Sequence, residues 1–588
     1  MILHGLDWSI IALYFIVSLL IGLMVSRQSG KSVAEFFLSG RNMPWWLLGV
    51  SMVATTFSAD TPNLVTDIVR NHGVSGNWMW WAFLLTGMMT VFVYAKLWRR
   101  TGILTDLEFY EMRYGGKPAS FLRGFRAIYL GLFFNVMIMA TVCLAAIKIG
   151  NVLLGLPPWQ TLLLSSVITV AYTMIGGFKG VLFTDFFQFM LAMAGMVAAA
   201  IVLVNKPEIG GLSHLLEQPR VQQAMSVFPD WSDPKAWIPI FLIPIAVQWW
   251  SSWYPGAEPG GGGYIAQRML AAKNERHAMG ATLLFNIAHY ALRPWPWIII
   301  ALCSMIIFPT IHDIAVQLPH VDPAIIKDDL AFPAMLSFLP TGLLGLVVAA
   351  LIAAFMSTIS THLNWGSSYI INDFYARFIN PKASEKKLVA IARWITLLLM
   401  LLAGLVATQL RSALDAFNIL LQIGAGTGSI FILRWFWYRI NVWSEISGMI
   451  ISFLIAVYFQ WGYHGQMDPS IKLVIGVSIT TVGWLIVTFL TKPESNEVLL
   501  KFYQRVLPHP LGWKTWLKSQ GVAIEIRPGS GFGQEILAMG LGCLMIYGYL
   551  FGMGYWIYGD GFRAMIWIGV GLISSWFLWK LWPRLSFT

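Results

Sequence analysis

The chain has 588 residues, 57% of them hydrophobic and only 11% charged. Its mean hydropathy of +0.67 excludes an ordinary soluble protein and predicts many membrane spans in a lipid bilayer rather than several globular domains. The net charge of +11 would suggest a polyanionic partner in a soluble protein, but here its placement orients helices, and nucleic acid is not an expected partner.

In chain order, apolar runs long enough to cross a bilayer fall at about 7–26, 44–70, 78–98, 122–154, 158–178, 181–204, 237–268, 278–308, 340–375, 387–409, 414–437, 443–463, 471–491, 535–557 and 562–582. An all-α polytopic membrane protein of about 15 helices follows, with its termini on opposite sides. The first run has neither a basic residue before it nor a small-residue cleavage site after it, so it reads as a retained span. Arg27, Lys31, Arg41, Arg99, Arg100, Arg113, Lys117, Arg123, Arg126, Arg268, Lys273, Arg276, the lysines 382, 386 and 387, and most of 492–527 fall on one side of this arrangement. The positive-inside rule makes that side cytoplasmic, placing the N-terminus outside and the C-terminus inside. Cys143, Cys303 and Cys543 lie in apolar segments and imply no disulfide framework. The chain has no Asn-x-Ser/Thr sequon, which favours a bacterial inner membrane.

Two runs are interrupted. The second carries Ser51-Met-Val-Ala-Thr-Thr-Phe-Ser-Ala-Asp-Thr-Pro62, and the seventh carries Trp253-Tyr-Pro-Gly-Ala-Glu-Pro-Gly-Gly-Gly-Gly-Tyr264. No continuous helix accommodates the latter. The breaks are five spans apart, an odd number, so the two halves insert with opposite orientation. Such a pair points to a transport site near the bilayer midplane, and a packing kink is the plainer alternative. The ninth run adds Ala354, Ser357, Thr358, Ser360 and Thr361 at i, i+3 and i+4 spacings. Neutral oxygens clustered at bilayer depth suit a hard monovalent cation that must bind and then leave. Back-bonding to carbonyls or helix–helix contacts would be the structural use of the same hydroxyls. Asp60, Asp185, Glu258, His289 and Arg293 are intramembrane ionisable residues and hence functional candidates, whereas Lys148 near a span end reads as snorkelling. The chain has no zinc-type Cys/His spacing, Walker loop or Gly-x-Ser-x-Gly motif. A non-enzyme without cofactors, driven by an ion gradient, is expected.

Four passages resemble the sodium:solute symporters: Ala34-Glu-Phe-Phe-Leu-Ser-Gly-Arg-Asn-Met-Pro-Trp-Trp46, Gly176-Gly-Phe-Lys-Gly-Val-Leu-Phe-Thr-Asp-Phe-Phe-Gln188, Tyr264-Ile-Ala-Gln-Arg-Met-Leu-Ala-Ala-Lys273 and the run Ala354 to Thr361. The resemblance covers about residues 5–460. It implies a five-plus-five inverted-repeat (LeuT-type) core. On that reading residues 1–43 are a leading helix and loop, 44–204 the first repeat and 205–440 the second. Residues 441–492 add helices, 493–534 form a cytoplasmic amphipathic segment, and 535–588 form a C-terminal helix pair. The implied main sodium site uses the carbonyls of Ala54, Phe57 and Ala354 with the hydroxyls of Ser357 and Thr358. A second site, present in some members, would use Asp185 with Ser357, Ser360 and Thr361. For the solute, Thr56, Thr61, Trp253, Glu258, His289 and Gln422 are the expected side chains. Gln422 matches a family substrate residue, His289 stands where sugar-transporting members have a lysine, and Asn77-Trp-Met-Trp-Trp-Ala-Phe83 lacks those members' carboxylate. A sugar, an amino acid or an organic acid all remain open. The expected activity is sodium-coupled import of a small polar solute by alternating access. A transporter-like sensor and a proton-coupled carrier or uniporter are the alternatives.

Overall fold

A computed structural model of the chain describes residues 3–29, 32–251, 258–410, 413–522 and 531–585. Among these residues every regular element is helical, and the only extended pairings are the bridges Met43–Ala272 and Trp437–Gly512. Among the described residues, eleven helices are long and apolar enough to span a bilayer. Four further expected runs fold as broken or shorter helices, each for a local reason.

The second run forms Trp45–Thr56 and Asp60–His72. Between them Phe57 leaves the helical region at φ −84°, ψ 74°. Pro62 falls in the first turn of the second piece, where a missing N–H leaves no bond unmade. The fifth and sixth runs form Pro158–Val204, bent at Gly177 (φ 55°, ψ −163°), a backbone region open essentially to glycine alone. In the seventh run, Gly263–Ala271 follows the glycine-rich break, and residues 252–257, including Trp253, lie outside the described residues. The eleventh is represented by Ala413–Ile423 and Gly428–Leu433.

The hydroxyl-bearing helix Leu343–Ser368 is buried along nearly its whole length. It packs against Pro158–Val204, Gly5–Ser29 and Trp45–Thr56. Peripheral helices keep apolar faces outward, as with Leu490 (81% exposed) and Trp579 (71%). In a bilayer such surface is solvated by lipid tails.

One end of the bundle is cross-linked by charge. Arg100 donates to both carboxylate oxygens of Glu275 (2.8 and 3.1 Å), and Arg123 joins Asp373 and Glu111 at 2.7 Å each. Arg113, fully buried, donates to the carbonyls of Arg434 (2.8 Å) and Ile440 (3.0 Å). The amphipathic helix Asn496–Val506 buries Leu499, Phe502, Tyr503 and Val506 against this end, and Trp513 donates to the Trp435 carbonyl at 2.9 Å. The segment expected to lie in the cytoplasm is therefore docked on the bundle. Arg113, Arg123, Arg126 and Arg268, expected as loop charges, are instead partnered inside it. At the opposite end Lys148 does not snorkel. Its ammonium lies 2.5 Å from Asp329, both 1% exposed, because a carboxylate from a distant loop reaches it.

Candidate functional site

The break at Phe57 faces the hydroxyl helix. Thr358 donates to the carbonyl of Thr55 at 2.7 Å and to that of Ala354 at 3.2 Å, so one side chain bridges the two helices. The Ala54 carbonyl, an expected ligand, accepts from the Phe57 N–H at 3.1 Å, and it is the neighbouring Thr55 carbonyl that meets Thr358. Of the residues expected in the main site, Ala354 and Thr358 meet the broken helix, at the Thr55 carbonyl next to Ala54. Ser357 is turned one step round its helix and donates to Asp185 Oδ1 at 2.6 Å.

Asp185 is fully buried, eight residues beyond the Gly177 bend, and is no helix cap. Its second oxygen accepts from Ser51. Ser360 donates to the Ser357 carbonyl (3.1 Å), and Thr361 lies 3.0 Å from Thr55 Oγ1. Into this cluster reaches Arg268, 0% exposed. Its guanidinium donates to Thr361 (2.8 Å), Ser51 (3.0 Å) and Thr55 (3.3 Å), lies 3.8 Å from Asp185 and packs 5.2 Å from the Phe178 ring centre. Counting Arg268 as a surface charge missed this. Its place, five residues past the last glycine of the break and beside Gln267, was the available signal.

Of the expected solute residues, Thr56, Thr61 and His289 gather at the break. Thr61 donates to the Thr56 carbonyl at 3.3 Å. His289 Nδ1 lies 3.0 Å from Thr56 Oγ1, and Arg293 Nη2 lies 3.1 Å from His289 Nε2. A guanidinium only donates, so Nε2 accepts and the Nδ1 proton faces Thr56. Asp60, beside this group, has a buried Oδ1 with no hydrogen-bond partner.

Glu258 and Gln422 stand elsewhere. Glu258 pairs with buried Arg126, whose guanidinium lies 5.1 Å from the ring centres of both Tyr110 and Phe431. Gly260 and Gly261 follow at φ 86° and 91°, and a Cβ on Gly262 would collide with the Glu258 carboxylate. The glycine run thus seats Glu258. Asp106 accepts from Gly263 N at 2.8 Å, and burial near Glu258 pushes its carboxyl up to about 6. Gln422 lines a cavity of about 620 Å³ with Gln248, Asn418, His72 and Met79, a volume suited to a small solute. Gln248, Asn418 and His72 were not anticipated, because their convergence comes from three separate helices.

Comparison with known proteins agrees with this architecture. The model of the "Sodium:solute symporter family" matches residues 36–452. A sodium/glucose cotransporter of Vibrio parahaemolyticus is 26% identical over 78% of this chain and 86% of that protein. Sodium/myo-inositol cotransporter 2 of Oryctolagus cuniculus is 26% identical over 84% of this chain and 78% of that protein. Among solved structures, a Na+-coupled sialic acid symporter in a substrate-bound outward-open state superposes with a TM-score of 0.67 at 22% identity, covering 84% of this chain and 99% of that one. The shared fold is the five-plus-five inverted-repeat one.

Proposed function

We propose that this chain, which belongs to the sodium:solute symporter family, uses the contact between its broken helix and its hydroxyl helix to couple sodium entry to import of a small polar organic solute. The observation that carries the reading is Thr358, whose hydroxyl touches both the Thr55 and Ala354 carbonyls. A sodium ion accepting oxygens from Phe57, Ala354, Thr358 and the break carbonyls would hold the two helices together. Its occupancy would then select one conformation of the pair and bias alternating access. No catalytic group or cofactor enters this scheme, and sodium is the coupling ion.

The second set, Asp185 with Ser357, Ser360 and Thr361, has its positive charge supplied by Arg268. A second sodium there would compete with a guanidinium, so one sodium per cycle is the stoichiometry proposed. The solute, a sugar, amino acid or organic acid, is assigned to the 620 Å³ cavity, with Gln422, Gln248 and Asn418 as its polar contacts. The group Thr56, Thr61, His289 and Asp60 lies at the break, outside the lining of that cavity. Relatives named for glucose, myo-inositol and sialic acid support a polyhydroxylated solute. A multi-pass position in a bacterial inner membrane, basic-rich end inward, completes the proposal.

Proteoliposome uptake with sodium replaced by choline tests it. Uptake should vanish with choline at any pH. Uptake driven by a proton gradient alone would establish the proton-coupled alternative, and ligand binding without flux would establish the sensor.

A further inference from the structure

A cavity of about 20 Å³ lies where the span pieces Leu84–Met89 and Thr90–Tyr94, the glycine-rich break and the helix Glu275–Asn286 meet. A space of that size holds a single particle as large as a water molecule. It shares no lining residue with the 620 Å³ cavity, and Glu258 is the carboxylate on its wall.

The polar groups of this wall are acceptors. Thr86 donates its hydroxyl proton to the Trp249 carbonyl, Thr90 to the Thr86 carbonyl (2.9 Å) and Thr282 to the Ala278 carbonyl (3.0 Å). A hydroxyl whose proton is engaged in this way has only lone pairs left to offer. Asn286, 1% exposed, donates through Nδ2 to the Thr282 carbonyl at 2.7 Å, while its buried Oδ1 has no hydrogen-bond partner. That oxygen lies against Gly87, where a Cβ would collide with it. Glu258 gives Oε1 to Arg126 and lays Oε2 against Gly262 in the same manner. Both glycines line the cavity, as does Tyr290, whose hydroxyl can turn either a proton or a lone pair toward an occupant. The three threonine hydroxyls, Asn286 Oδ1 and Glu258 Oε2 outnumber the two protons of a water molecule. A cation satisfies them all.

The surrounding charges favour a cation as well. Arg126 faces Glu258, and Arg434, the next guanidinium, is engaged with Glu445 at 3.3 Å. Asp106, close enough to Glu258 for its carboxyl to be raised, has only neutral partners, the Tyr369 hydroxyl and the Gly263 N–H. One positive charge is missing from this group. A single wall carboxylate shared with Arg126 suits a monovalent ion better than a divalent one.

We propose that this cavity is a site for one dehydrated monovalent cation of sodium's size, held by Glu258, Asn286 and the threonine hydroxyls. The ion ties the glycine-rich break to the two neighbouring helices. Arg126 and the glycine seat hold Glu258 in place, so the ion is resident and does not cross with the solute.

Radiosodium binding to the full chain in detergent, read by scintillation proximity with choline as the balancing cation, tests the site. The wild type should bind two ions per chain at saturation, while the reversal potential counts one sodium per solute. Asn286→Leu should weaken one of the two ions by about tenfold or more, the effect of an unreplaced buried polar contact. Thr90→Val should act in the same direction and serves as the second variant if Asn286→Leu does not fold. A single ion lost in Asn286→Leu and kept in Thr358→Ala would support this site and overturn the one at Thr358. A single ion weakened only by Thr358→Ala, wild-type binding in both Asn286→Leu and Thr90→Val, or a wild-type reversal potential that counts both ions would each overturn the proposal.

Discussion

At the scale of single residues the site is a set of neutral oxygens with one internal ion pair. Thr358→Ala removes the hydroxyl that bridges the two helices, and Ser357→Ala removes the one that holds Asp185. An unreplaced polar contact at a buried site costs on the order of 1–3 kcal/mol. The sodium concentration for half-maximal uptake should rise roughly tenfold in Thr358→Ala and less in Ser357→Ala, as read from sodium titrations of flux. Asp185 and Arg268 share a fully buried environment. Removing one partner of such a pair costs about 3–5 kcal/mol, whereas removing both is far milder. Asp185→Asn should therefore lower the melting temperature, and Asp185→Asn with Arg268→Gln should recover most of it. The reversal potential should still report one sodium per solute in any variant that transports. A lower charge-to-solute ratio in Asp185→Asn than in the wild type would instead reveal a second ion.

At the scale of elements, the bends fix where these side chains can meet. Gly177 holds φ 55°, ψ −163° between two spans. Gly177→Ala should destabilise by about 1–3 kcal/mol, the cost of a strained backbone residue, and lower the melting temperature in detergent. The docked end of the bundle depends on Glu111, which Arg377, Ser120 and Arg123 engage. Partial burial alone would raise its carboxyl, but those three bonds prevail and hold it down from 4.5 to about 2. A carboxylate depressed on folding stabilises above its unfolded value and loses that contribution as pH falls through the folded one. Between about pH 4.5 and 2 the wild type should thus lose melting temperature more steeply than Glu111→Gln, which differential scanning fluorimetry reads directly.

At the scale of the whole molecule, sodium entry must supply the work of accumulation. One sodium crossing about 100 mV down a tenfold gradient supplies about 2.3 plus 1.4 kcal/mol. That limits solute accumulation to several hundredfold. Accumulation well beyond that limit in proteoliposomes holding that inward sodium gradient and potential would require a second ion and overturn the assignment of Arg268 as its replacement.

The architecture was legible along the chain because a bilayer imposes it locally. Span length, the breaks at Ser51–Pro62 and 253–264, and the i, i+3, i+4 hydroxyls are short-range patterns that any helix in lipid must display. The bridging of Thr358 to a break at Phe57 follows from the same patterns once two helices are known to face each other. The fates of Arg268, Lys148, Glu258 and Gln422 did not follow. Each depends on a partner far away in sequence: Asp185, Asp329, Arg126 and the Lys472 carbonyl. Charge counted along a sequence cannot distinguish a lysine in a loop from one facing a carboxylate 181 residues away. Tertiary packing alone decided which charges were desolvated and paired, and thereby which side chains meet at the proposed ion site and which brace the bundle.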